Sequence, residues 1–125
     1  MIGIDLCSAA RIRRVHERHG ERFTDRVFTP GEIETALRRR DPYPHLAARW
    51  AAKEAVFKVL GRVPDFRWKD IEVTADEDGR PGLNLRGATA REARRQGIEA
   101  WHVSISHEGD MAACVVMAWR GETER

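Results

Sequence analysis

Between Leu46 and Gly61 the apolar positions of this chain follow no single stripe. On a 100° wheel, Leu46, Trp50, Phe57 and Leu60 take one side, and Ala48, Ala51, Ala52, Ala55, Val56 and Val59 spread around the rest. A helix that is apolar almost all round is a buried one. Good helix formers and the lack of internal Pro or Gly predict a helix over Ala47–Gly61, with Gly61 as its stop. Yet the same stretch carries Arg49, Lys53, Glu54 and Lys58. Glu54 and Lys58 stand i,i+4 in the favourable order, whereas Arg49 and Lys53 are like-charged at that spacing and repel. Two readings are open. Either this is a core helix whose long side chains reach solvent, or an anion such as phosphate sits against Arg49, Lys53 and Lys58 while Glu54 holds a metal.

Around this helix the pattern predicts short strands and capped helices. Ile2–Leu6 alternates as a strand, and Asp5 within it needs a reason, either as a cap for the next helix or as a metal ligand. Ser8 caps a helix running to about His19, which Gly20 breaks or bends before Arg22. Arg11, Arg14, Arg18 and Arg22 fall on one line beside Ile12, Val15 and Phe23, a docking strip for an acidic partner. Thr29-Pro30-Gly31-Glu32 opens another helix with a capping box, closing on Arg38-Arg39-Arg40, whose charges suit a helix C-terminus. Asp41–Pro44 reads as a turn into the central helix and Arg62–Trp68 as an aromatic loop. Ile71–Ala75 and 83–86 form a hairpin about Asp76–Gly79. Thr89-x-x-Glu92 repeats the capping box before a short helix ended by Gly97. Trp101–Ser106 alternates strictly, 107–110 turn, and Ala112–Trp119 is the last strand; the tail from Gly121 is expected to fray. Strands joined by short turns, with helices segregated, predict an α+β fold: an antiparallel sheet with helices packed on one side and one long buried helix.

Composition narrows the chemistry only in places. The 125 residues suit a single domain, 1–125, and a net charge of +2 says little about partners. No apolar run approaches the roughly 20 residues that cross a bilayer, and MIGIDLC lacks the layout of a signal peptide. Cys7 and Cys114 read as buried reduced thiols of a cytoplasmic protein. Ser106 and His107 are strand neighbours on opposite faces, so they form no nucleophile–base pair. No zinc spacing, P-loop or GxGxxG is present. What remains is two carboxylates, Asp5 and Glu54, among cations and hydroxyls. That set suits magnesium, which keeps several waters and leans on substrate phosphates, and with Lys and Arg it suits phosphoryl-group transfer. The competing class is a non-catalytic basic module using the Arg11–Arg22 strip on a nucleic acid or an acidic protein.

Gly3-Ile4-Asp5 with Arg11-Ile12, Phe28-Thr29 with Glu32, Arg49-Trp50-Ala51-Ala52-Lys53-Glu54-Ala55 with Lys58 and Gly61, Gly79-Arg80-Pro81, and Val103-Ser104-Ile105-Ser106-His107 together resemble the holo-[acyl-carrier-protein] synthases, the short single-domain phosphopantetheinyl transferases. The resemblance covers nearly the whole chain and implies their fold. It implies transfer of the phosphopantetheine arm of coenzyme A to a serine of an apo acyl carrier protein, in fatty acid biosynthesis or a related pathway, with adenosine 3′,5′-bisphosphate as the other product. It further implies Mg2+ held by Asp5 and Glu54, and catalysis by Asp5, Glu54 and Lys58, with Glu54 or Asp5 taking the serine proton and Lys58 serving the departing phosphate. Arg49, Lys53, Lys58 and His107 would contact coenzyme A, with Gly79, Arg80, Pro81 and Ser106 lining the site. Arg11, Arg14, Arg18, Arg22 and Arg26 would meet the acidic recognition helix of the carrier. A homotrimer with sites between subunits is implied, and neither nucleic acid nor membrane as a partner.

Overall fold

Alternation at Trp101–Ser106 reaches further in both directions in the computed structural model, which describes residues 1–121. Strand β4 spans Ile98–Glu108 and turns at Gly109-Asp110 into β5, Met111–Arg120. The first strand, β1 (Ile2–Ser8), pairs antiparallel with β5, so the sheet order is β1-β5-β4. Where one sheet was expected the described residues form two, because among them β2 (Ile71–Ala75) and β3 (Pro81–Leu85) pair only with each other. The helices are α1 (Ala9–His19), α2 (Glu21–Val27), α3 (Pro30–Leu37), α4 (Tyr43–Leu60) and α5 (Gly87–Arg95), with a 3-10 turn at Trp68–Asp70. The tail beyond 121, expected to fray, lies outside the described residues.

Local signals set most of these boundaries. The Ser8 hydroxyl accepts from the Arg11 N–H at 3.0 Å, and the full Thr29–Glu32 capping box is present. Gly20, at φ 60°, ends α1, and Glu21 starts a separate helix rather than a bent continuation. The central helix begins at Tyr43 rather than Ala47, since Pro44 falls in its first turn, where a missing N–H costs nothing. Helix α3 stops at Leu37, leaving Arg39 and Arg40 beyond the helix they were expected to terminate. The second capping box does not form. Helix α5 starts at Gly87, two residues before Thr89, with Asp70 so close that a Cβ on Gly87 would come within 2.6 Å of its carboxylate. Thr89 is buried inside the helix, and Glu92 pairs with Arg95 instead.

Paired residues share a sheet face, so Gly3, Asp5 and Cys7 lie beside Val116, Cys114 and Ala112, and these beside Val103, Ile105 and His107. Helix α4 covers this face with Ala47, Ala48, Ala51, Ala52 and Ala55, all fully buried. Small side chains bring helix and sheet together, and the approach is tightest at Gly3. There a Cβ would stand 2.1 Å from the Ala55 carbonyl oxygen, so only glycine fits. The opposite face is open: Ile2, Ile4 and Leu6 are 64, 56 and 57 % exposed, and Met111, Met117 and Trp119 are also exposed.

Candidate functional site

Contact between β1 and α4 puts two carboxylates together. Asp5 leaves β1 toward the helix; one oxygen accepts from the Lys58 ammonium at 2.8 Å, and the other, Oδ2, is buried without a partner. Glu54 is half-buried on α4 near Asp5. Burial and then the neighbouring Asp5 raise its pKa from 4.5 to about 7, against the opposing pull of Arg11 and Lys58. Lys58 also donates to the Ile4 carbonyl at 2.9 Å and stays about half exposed. The salt bridge of Lys58 is thus with Asp5, not with Glu54 one helical turn away. Arg11, placed in the docking strip by spacing, also directs its charge at this cluster. Two carboxylates are all the protein offers here: among the described residues no three His, Cys, Asp or Glu side chains converge on a metal site.

Five residues earlier on α4, about 7.5 Å along the helix axis, Arg49 borders a cleft of about 460 Å³ with Arg39, His45 and His107. Burial lowers the Arg49 pKa, as does the neighbouring Arg39, while Glu32 acts in the opposite sense. Burial, then Arg49, Arg39 and His107, push His45 down from 6.5 to about 4, so its imidazole is neutral at pH 7, and its Nε2 is buried without a partner. Sequence reasoning missed both Arg39 and His45. Arg39 was absorbed by a helix end it does not form. The i,i+4 spacing of His45 and Arg49 would have found His45, had α4 been started a turn earlier.

The expectation that Lys53 touches coenzyme A is corrected by its surroundings. It is 0 % exposed, and its ammonium pairs with Glu32 at 2.8 Å and donates to the carbonyls of Trp68 (3.2 Å) and Ile71. All three ammonium protons are thereby used. Glu32 in turn accepts from the N–H groups of Thr29 and Val73. Lys53 therefore ties α4 to α3 and β2, and has no donor left for a ligand.

Other expected residues are dispersed. Ser106, paired with Ala113, lies on the open sheet face, away from the face that carries His107. Gly79 and Arg80 are exposed at the β2–β3 tip, and neither they nor Pro81 border the Arg49 cleft. Arg14 and Arg18 are exposed on α1, and Arg22 and Arg26 on α2, so the strip runs over two helices. Cys7 and Cys114 are free and buried, their thiols pushed up to about 11 and about 12 chiefly by burial.

Two carboxylates and a lysine thus lie beside an arginine-lined cleft on the same helix, and comparison with known proteins decides the family. Residues 1–116 match the family model of the 4′-phosphopantetheinyl transferase superfamily. A holo-[acyl-carrier-protein] synthase of Carboxydothermus hydrogenoformans is 42% identical over 119 residues, covering 94% of this chain and 96% of the relative. The chain belongs to the holo-[acyl-carrier-protein] synthase family of phosphopantetheinyl transferases. The crystal structure of the Neisseria meningitidis synthase superposes with a TM-score of 0.86 at 31% identity, covering 95% of this chain and 97% of that one. A Helicobacter pylori synthase, solved in complex with coenzyme A, gives a TM-score of 0.82 at 29% identity, covering 95% of this chain and 100% of that one. This phosphopantetheinyl transferase therefore shares its enzyme class and fold with these synthases.

Proposed function

We propose that the protein transfers the phosphopantetheine arm of coenzyme A to a serine of an apo acyl carrier protein, releasing adenosine 3′,5′-bisphosphate, with magnesium as cofactor. The observation that carries this reading is the Asp5–Glu54 pair beside Lys58, a short distance along α4 from the Arg39–Arg49–His107 cleft. That spacing suits a ligand bearing a diphosphate at one end and further phosphate at the other. It also accords with the coenzyme A bound by the Helicobacter pylori relative.

Asp5 and Glu54 fit magnesium. They supply oxygen donors only, and the buried unpartnered Asp5 Oδ2 is an acceptor with nothing on it. Two carboxylates and no third suit an ion that completes its shell with water and substrate phosphate. When bound there, magnesium would offset pyrophosphate charge and make the phosphorus electrophilic. The chain's own residues do the rest. Glu54, with its carboxyl poised near neutrality, takes the proton of the carrier serine. The serine oxygen forms the new bond to phosphorus, and the phosphorus–oxygen bond to the adenosine bisphosphate breaks. Lys58, already charged beside Asp5, neutralises the departing phosphate, while Arg49 and His107 hold the nucleotide end.

Arg11, Arg14, Arg18, Arg22 and Arg26 present the docking surface for the acidic carrier helix. A homotrimer covers the open apolar face of β1 and β5, since an exposed row of Ile2, Ile4 and Leu6 calls for a partner. Ser106 and the Gly79–Pro81 loop, distant in role from Arg49 within one copy, then line a site shared between subunits. Among the described residues no helix is long and apolar enough to cross a membrane, and two free buried thiols suit a cytoplasmic setting.

Incubation with coenzyme A, magnesium and an apo acyl carrier protein tests the reading by the mass gain of the carrier. Wild type is expected to convert the carrier and Glu54→Ala to lose at least about a hundredfold in rate, the scale of a general base. Equal conversion by Glu54→Ala would sink the assignment.

A further inference from the structure

A cavity of about 670 Å³ lies away from the Asp5–Glu54 cluster, between the end of α2 and the segment that follows α4. Arg26, Arg67, Lys69 and Arg86 border it, with Phe66 and Trp68 as its aromatic wall and Asp70 its single carboxylate. Among the described residues Arg26, Arg67 and Lys69 have no ion pair, whereas Arg86 is engaged by Glu72 at 2.8 Å. Asp70 sits against Gly87 at the start of α5. Three unpaired cations against one carboxylate leave the cleft net positive.

Its wall is fixed rather than a loose loop. Trp68 lies 4.6 Å from Trp50 and 4.7 Å from Phe66, and Trp50 reaches Phe23 of α2 at 6.5 Å, ring centre to ring centre. Tilted and edge-to-face rings therefore brace the 66–69 segment against α4 and α2. The cleft is also continuous with the arginine strip: Arg26 borders it on one side and, on the other, borders a shallower hollow of about 330 Å³ shared with His19, Arg22 and Phe23.

We propose that the carrier-docking surface does not end on α2 but continues into this cleft, where Arg67 and Lys69 meet further acidic side chains of the acyl carrier protein and Phe66 and Trp68 receive an apolar one. This rests on the carrier-modifying reading above and extends it to residues that neither spacing nor resemblance singled out. Charge complementarity selects the occupant: cations running from Arg22 through Arg26 to Arg67 and Lys69 match an acidic protein face longer than one helix.

The test is the double charge reversal Arg67→Glu with Lys69→Glu, alongside Arg67→Gln, each assayed with an apo acyl carrier protein and coenzyme A. The double variant is expected to raise the KM for the carrier about tenfold, Arg67→Gln about twofold, the scale of solvent-exposed ion pairs and long-range steering. Turnover at saturating carrier and the calorimetric affinity for coenzyme A should stay as in wild type. An unchanged carrier KM with normal turnover overturns the cleft's role and leaves the transfer reading intact. Equal loss of coenzyme A affinity also overturns it, making the cleft a nucleotide site. A wild-type protein that modifies no carrier removes both assignments together.

Discussion

Asp5 and Glu54 are two acids held close together, and the titration of Glu54 is visible in the stability of the fold. The Glu54 pKa is raised from 4.5 to about 7, first by burial and then by Asp5, so the folded state favours its protonated form. That contribution is complete below pH about 4.5 and is lost as the pH rises through about 7. His45 has the opposite sense. Lowered from 6.5 to about 4 by burial and by Arg49, Arg39 and His107, it favours the fold above pH about 6.5 and withdraws that support as the pH falls through about 4. The melting temperature of the ligand-free protein should therefore decline on both limbs. Glu54→Gln should flatten the upper limb and His45→Phe the lower. A Glu54→Gln protein that keeps the wild-type slope up to pH 7 would contradict the coupling.

Helix α4 is held by more than its alanine face. The sealed Lys53–Glu32 pair joins α4 to the capping box of α3 and to the Val73 N–H of β2. Breaking one side leaves a buried charge alone, so Lys53→Met should cost about 3–5 kcal/mol in denaturant unfolding. The double variant Lys53→Met with Glu32→Gln should recover part of that, and a single variant as stable as wild type would deny the pair any structural role. This element also shows what the sequence could and could not disclose. The Thr29 box and the Ser8 cap were legible because each is settled within four residues. The Thr89 box does not form because α5 starts two residues earlier, at Gly87, which leaves Thr89 buried inside the helix. Lys53 was taken for a ligand because its partner lies on another helix, where the cap already accounted for Glu32. The acid pair itself was legible, since Asp5 is an unusual strand residue and Glu54 an unusual occupant of a buried helix.

At the scale of the whole molecule, the unpaired feature is the open face of the sheet. Strand alternation alone puts Ser106 and His107 on opposite faces of β4, and pairing with β5 puts Ser106 on the open one. If copies associate through that face, Ile4→Lys with Leu6→Lys should convert the assembly to monomers in light scattering and abolish carrier modification, because the site would lose the residues lent by its neighbour. A monomeric wild type would refute the arrangement. The backbone-to-backbone touch at Gly3 has a wider consequence. The gap between the two acids is gauged by main chain against main chain, so the surrounding core can change its side-chain volumes, as proteins do in adapting to heat or cold, while the reaction centre keeps its measure.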